Sequence, residues 1–245
     1  MKNLFTLSFI ICSIFCISAC GGGDDGPTDP PVTDGDISGG VNLYDDKNIP
    51  LPNDGMTVTI VGRSESAVTD AEGRFRLEGV PFGSYQLRYE KNGFGTFIGP
   101  EFEHEANDNG ITFITDSPSL GQISTTIITN GSAALDGNDF LLTVESEPGG
   151  NNQDPVYVSI FLRGSDDVSN ENNSAVIGPL QIAINPFNIR ITQQQLLEFG
   201  FSADETVYIK VYGDSFFANN YERLGSTIHP NANQNASPTM NLVVQ

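Results

Sequence analysis

The side chains able to do chemistry are few and scattered. His104, His229, Cys12, Cys16 and Cys20 are all the histidines and cysteines in the chain. Catalytic zinc needs three protein ligands, commonly including two or three His, and Glu103-His104-Glu105 has no second His or acid at zinc-binding spacing, so it reads as a solvated strand or loop. A Ser-His-acid relay would have to use the same histidines, and neither lies beside a nucleophile turn. Acids are plentiful, with 31 Asp and Glu against 11 Lys and Arg. Asp70 and Glu72 invite reading as an acid-base or metal pair. Their setting, Thr69-Asp70-Ala71-Glu72-Gly73, is instead that of a tight turn, in which Asp accepts backbone N–H groups, Gly takes a positive φ and Glu faces water. The oxygen-rich runs 107–110 and 136–139 lack the spaced ligands of a dedicated calcium loop and contain strong hairpin signals. Phosphate-loop and nucleophile-elbow motifs are absent from the sequence. The expectation is a chain with no catalytic, cofactor-binding or metal-binding residues. The absence of Trp argues further against a sugar-processing cleft, since Tyr and Phe alone would have to supply its stacking platforms.

The remaining chemistry-bearing residue is Cys20. Lys2 supplies a positive start, Leu4 to Ala19 an apolar stretch of sixteen residues, and Ser18 and Ala19 the narrow side chains that a signal peptidase requires. Sixteen residues fall short of the ~20 that span a bilayer. Ile17-Ser18-Ala19-Cys20 resembles the lipobox of bacterial lipoprotein signal peptides, and that resemblance implies diacylation of Cys20 and cleavage in front of it. Cys12 and Cys16 would leave with residues 1–19, so one mature chain could form no internal disulfide. Its fold must then be stabilised by a buried core.

Removing residues 1–19 takes away Lys2 and no acid, leaving 10 cations against 31 acids, a net charge of −21. Such a surface repels nucleic acid and anionic headgroups at long range. Membrane attachment would fall to the lipid on Cys20, and two acyl chains suffice for stable anchoring. Residues 20–36 continue as GGGDDGPTDPPVTDGD after the cysteine, a solvated tether with a reach of roughly 20 to 25 Å. This stretch resembles the acidic, Gly-rich segment that follows the lipidated Cys in surface-exported lipoproteins of Bacteroidetes, although Gly21 to Gly23 separate its first acids from the Cys. The expected location is the bacterial outer membrane, with the leaflet left open.

Residues 37–119 alternate apolar and polar side chains in short runs separated by turn residues, the pattern of strands with one wet face. Met56, Val58 and Ile60 share a face, as do Tyr85, Leu87 and Tyr89 within Ser84 to Glu90. Val80-Pro81-Phe82-Gly83 supplies a further turn. In order and spacing, Ile37-Ser38-Gly39, Ile49-Pro50-Leu51-Pro52, Thr69 to Phe75, Gly79-Val80-Pro81, Gly83-Ser84-Tyr85 and Lys91-Asn92-Gly93-Phe94 resemble the carboxypeptidase regulatory-like domain. The resemblance implies a prealbumin-like sandwich that serves as a stalk or accessory module without catalytic residues of its own.

Residues 120–245 offer seven strand candidates: 122–129, 140–145, 156–163, 175–184, 189–192, 207–213 and 239–245. Val156, Val158, Ile160 and Leu162, then Val207, Ile209 and Val211, then Met240, Leu242 and Val244, form the expected core rows. The segments 148–155 and 166–174 read as exposed connections. Thr192 can cap a single helical turn through Leu196 and Leu197 to Gly200. That turn and the strand Thr206 to Tyr212 resemble the crossover before the sixth strand of fibronectin-type sandwiches. The expected fold is therefore all-β, with two tandem antiparallel β-sandwiches, the first prealbumin-like and the second Ig/fibronectin-like. The expected function is non-catalytic, a structural or binding module with an envelope protein or polysaccharide as partner. A surface glycan hydrolase using noncontiguous acids of the second module, or a pure spacer, are the alternatives.

Overall fold

The computed structural model describes residues 33–245. The signal segment, Cys20 and the tether up to residue 32 lie outside the described residues. Eleven short strands build the first sandwich: β1 Asp34–Gly40, β2 Asn42–Tyr44, β3 Thr57–Ile60, β4 Ser66–Val68, β5 Arg74–Pro81, β6 Gly83–Tyr85, β7 Leu87–Glu90, β8 Phe97–Ile98, β9 Phe102–His104, β10 Ile111–Phe113 and β11 Ser119–Gly121. One sheet has the order β10-β1-β5 and the facing sheet β4-β3-β7-β8. Pairing is mostly antiparallel, but β10 runs parallel to β1 and β11 parallel to β2. The anticipated rows face inward: Met56, Val58, Ile60, Leu87 and Tyr89 are buried together with Ile37, Phe75 and Leu77. The Thr69–Gly73 turn forms as its composition dictates. Asp70 Oδ1 accepts the N–H of Glu72 at 3.0 Å and of Arg74 at 2.8 Å. Gly73 has φ of +82°, and a Cβ there would lie 2.3 Å from the Val41 carbonyl oxygen, so no other residue fits.

His104 departs from its expected solvated position. It lies in β9 at 1% exposure, with Nδ1 2.7 Å from Thr112 Oγ1 and Nε2 3.0 Å from the Val80 carbonyl. Gly35 leaves room for the ring, which sits beside Phe82. Both ring nitrogens are occupied by structural partners, so the residue is a satisfied core histidine.

The second sandwich contains β12 Ile127–Asp136, β13 Asp139–Glu147, β14 Val156–Arg163, β15 Ala175–Ile182, β16 Phe187–Ile191, helix α1 Gln193–Glu198, β17 Thr206–Asp214, the hairpin β18 Tyr221–Arg223 and β19 Ser226–Ile228, and β20 Met240–Val243. Its facing sheets have the orders β12-β13-β16 and β15-β14-β17-β20. Helix α1 crosses between sheets ahead of β17. Thr192 caps it through the Gln195 N–H, and the Gln195 side chain reaches back to the Thr192 N–H, a complete capping box. The predicted rows on β14 and β17 are fully buried. Among the described residues no helix is long and apolar enough to cross a membrane.

Three details differ from the alternation pattern. The strand anticipated at 122–129 begins only at Ile127, because residues 123–125 are hydrogen-bonded between the two sandwiches and cannot join a ladder. It then runs to the turn at Gly137-Asn138, where Asp136 faces Asp139 across a two-residue hairpin. Central strand β14 is covered on both sides: Tyr157, Ser159 and Phe161 are buried as well as the opposite row. Their cover is a third cluster, in which Val168 from the supposedly exposed 166–174 connection packs with Phe161, Tyr212 and Ala232. The connection folds over because β14 presents an apolar Phe161 outward, and burying such a ring stabilises by roughly 2 to 3 kcal/mol.

Candidate functional site

Between β17 and β20 the chain makes an excursion, residues 215–239, that returns to the first sandwich. Asp46, 7% exposed, accepts from both the N–H and the hydroxyl of Thr125, at 2.7 and 2.8 Å. The Asp46 carbonyl accepts the Phe216 N–H at 2.9 Å. Asn219 clamps β11, accepting the Gly121 N–H at 2.9 Å and donating to the Ser119 carbonyl at 2.8 Å. Asn231 donates to Asn219 Oδ1, and Asn233 donates to the Ser124 carbonyl. Tyr44 and Phe217 bring ring centroids within 4.7 Å. Gly95 lets the Pro230 carbonyl approach so closely that a Cβ would lie 2.3 Å from its oxygen. Buried Asp46 and Asn231 and half-buried Asn219 and Asn233, all with satisfied partners, fix one geometry, since displacement leaves desolvated groups unpaired. Residues 33–245 accordingly form one compact unit.

Beside this junction lies a groove of about 900 Å3 with walls from both sandwiches. The first contributes Arg88, Glu90, Phe94 and Thr96; the second contributes Glu171 and the β18–β19 hairpin with Tyr221 and Arg223. Arg88 Nε stands 3.1 Å from Glu90 Oε2, and the Thr96 hydroxyl donates to Glu90 Oε1 at 3.2 Å. Tyr221 lies edge-to-face with Phe97, centroids 6.3 Å apart, so a ring from each sandwich meets there. Leu224, at the hairpin tip, is 98% exposed. A smaller cavity of about 360 Å3 shares Ile123, Glu171, Ile228 and Pro230 with the groove and has His229 in its wall. Burial holds His229 below the usual histidine range, against an opposing pull from Glu222. Its buried Nε2 meets no oxygen or nitrogen, and the ring packs edge-to-face on Phe161 at 4.9 Å.

Other chemistry-bearing groups are placed apart from this groove. Asp70 and Glu72 are committed to their turn and to Arg74. Among the described residues no group of three or more His, Cys, Asp or Glu could hold a metal ion. Among the close hydroxyl–carboxylate pairs, Ser84–Glu101, Ser165–Asp167 and Thr227–Glu222 are exposed, whereas Ser159 Oγ and Asp214 Oδ2, 2.5 Å apart, are buried. Both residues are 1% exposed, so no substrate reaches them. Burial raises the Asp214 carboxyl from its ordinary value to about 6, opposed by hydrogen bonds from Ser159 and the Ser215 N–H. Sequence reasoning missed the groove because its wall comes from an excursion with little strand alternation. The available signal was length: residues 215–239 are too many for a simple connection and carry Phe216, Phe217 and Tyr221.

Comparison with known proteins bears on the first wall of the groove. Residues 37–114 match the carboxypeptidase regulatory-like domain family. The regulatory-like domain therefore supplies Arg88, Glu90, Phe94 and Thr96. Across its larger extent the chain is similar to a DUF3823 family protein from Parabacteroides merdae, 13% identical over 86% of this chain and 100% of that one, with TM-score 0.32. It is also similar to BcpA, the major pilin subunit of Bacillus cereus, 10% identical over 85% and 69% of the two chains, TM-score 0.31. A third similarity is to the type II cohesin–X-dockerin complex of Acetivibrio cellulolyticus, 24% identical over 35% of this chain, TM-score 0.30; the chain spans 56% of the length of that one. No curated protein matches the chain in sequence.

Proposed function

We propose that the protein is a non-catalytic binding module of the bacterial envelope, held to the outer membrane by lipid on Cys20. In this reading residues 1–19 are removed, residues 20–33 form the tether, which ends where Asp34 enters β1, and the modules 34–119 and 120–245 present the groove between them to an envelope protein or polysaccharide. Neither nucleic acid nor a small-molecule cofactor has a part. The single observation that supports it most is the groove itself, whose two walls come from different sandwiches and are held by the Asp46 and Asn219 contacts. A binding surface set on rigid elements loses little entropy when it is occupied. The test is twofold. Cys20→Ala should move the protein from the membrane fraction to the soluble fraction with unchanged circular dichroism. Full-length protein used as bait on envelope extracts should retain a protein or polysaccharide, and retention should fall when Tyr221 is changed to Ala. A protein that stays membrane-bound without Cys20 contradicts the anchor, and bait that retains nothing contradicts the binding role.

A further inference from the structure

The geometry points to an uncharged oligosaccharide as the occupant of the groove, gripped by the Arg88–Glu90 pair of the first sandwich and the Tyr221 ring of the second. This rests on the reading of the groove as a binding site and names its ligand class. Charge is the first argument. The wall holds two cations, Arg88 and Arg223, and two acids, Glu90 and Glu171. The groove is thus electrically balanced within a chain of net charge −20, whose field repels a polyanion before contact. A ligand carrying its own charge would leave one sign unmatched as water is expelled.

Donor and acceptor spacing is the second. The guanidinium of Arg88 and the carboxylate of Glu90 lie side by side at 3.1 Å, and Thr96 steadies the carboxylate from its other oxygen. Vicinal hydroxyls complement such a pair, one donating to the carboxylate while its neighbour accepts from the guanidinium, and both partners keep their charge satisfied. A peptide strand would need an exposed sheet edge for its backbone groups. The edge strands at the groove are short, β8 with 2 residues and β18 and β19 with 3 each. Aromatic surface is the third argument: Tyr221 is half-buried and held against Phe97 at an interplanar angle of 88°, a fixed platform for the apolar face of a pyranose ring. The volume of about 900 Å3 is within the usual range for small-molecule clefts.

Titration calorimetry of the full-length protein with cellohexaose, xylohexaose, mannohexaose and laminarihexaose, beside a hexamer of galacturonic acid, tests this. At least one neutral hexamer should bind, and the acidic hexamer should bind at least tenfold more weakly. Arg88→Met and Tyr221→Ala should each weaken the neutral sugar at least tenfold while leaving the circular dichroism spectrum unchanged. Both residues have exposed surface, and Glu90→Gln, which keeps the acceptor oxygen, should cost less than Arg88→Met. Preference for the acidic hexamer, or neutral binding indifferent to both substitutions, overturns the inference. Capture of an envelope protein that is lost in Tyr221→Ala, with no sugar bound, overturns the inference and leaves the binding module standing. Retention of neither sugar nor protein defeats both.

Discussion

The strands at the centre of the two sandwiches are treated differently by the chain. In the first, β7 alternates buried Leu87 and Tyr89 with exposed Arg88 and half-buried Glu90, the pattern of a sheet with one wet face. In the second, β14 is buried along both faces from Val156 to Leu162. The difference is made by residues outside the strands. Val168 and the 215–239 excursion cover Phe161 and Tyr212, and the same excursion bonds to the first sandwich and raises the hairpin over the groove. One sandwich keeps an open polar face; the other uses its outer face to hold the excursion in place.

The comparison can be broken most severely at Phe161. Phe161→Ala should destabilise by about 3 to 5 kcal/mol in urea unfolding, the usual cost of truncating a buried aromatic, whereas Thr59→Ala on the wet side of β3 should cost under about 1 kcal/mol. Equal losses would mean that the excursion does not cover β14. Asp214 gives the next largest effect. Its folded value of about 6 lies above the ordinary 3.8, so the group favours folding below pH 3.8 and loses that contribution as pH rises through 6. The difference amounts to roughly 3 kcal/mol across that window. Asp214→Asn should remove this fall in stability between pH 4 and pH 7, read from unfolding midpoints corrected for the remaining acids. Asn219→Ala leaves the Gly121 N–H and the Ser119 carbonyl without their partner. It should cost about 1 to 3 kcal/mol and speed hydrogen exchange in 119–126 without altering exchange in β3. Smallest of all, Arg74→Ala, at an exposed ion pair of the first hairpin, should leave the unfolding midpoint unchanged.

Legibility in the sequence followed periodicity. Rows such as Val207, Ile209 and Val211 were readable because one covered face imposes a period of two. The helical cap at Thr192 and the Thr69–Gly73 turn were readable because local hydrogen bonds determine both. His104 was not, since its flanking glutamates suggest solvent while its burial depends on partners on other strands, Thr112 at 8 residues' separation and Val80 at 24. The groove was also hidden. Asn219, Asn231 and Asn233 look like loop residues, and their role depends on the carbonyls of Ser119, Phe217 and Ser124 that the fold places opposite them. The resemblance of residues 37–94 to the regulatory-like family carried the first fold further than alternation alone, and the family match over 37–114 agrees with it.

Differential scanning calorimetry of the full-length protein most directly tests the claim that the junction makes one body of the two sandwiches. A single transition whose calorimetric and van 't Hoff enthalpies agree is the predicted result. Two separated transitions, with Asn219→Ala shifting neither, would mean that the sandwiches melt independently and that no fixed groove stands between them.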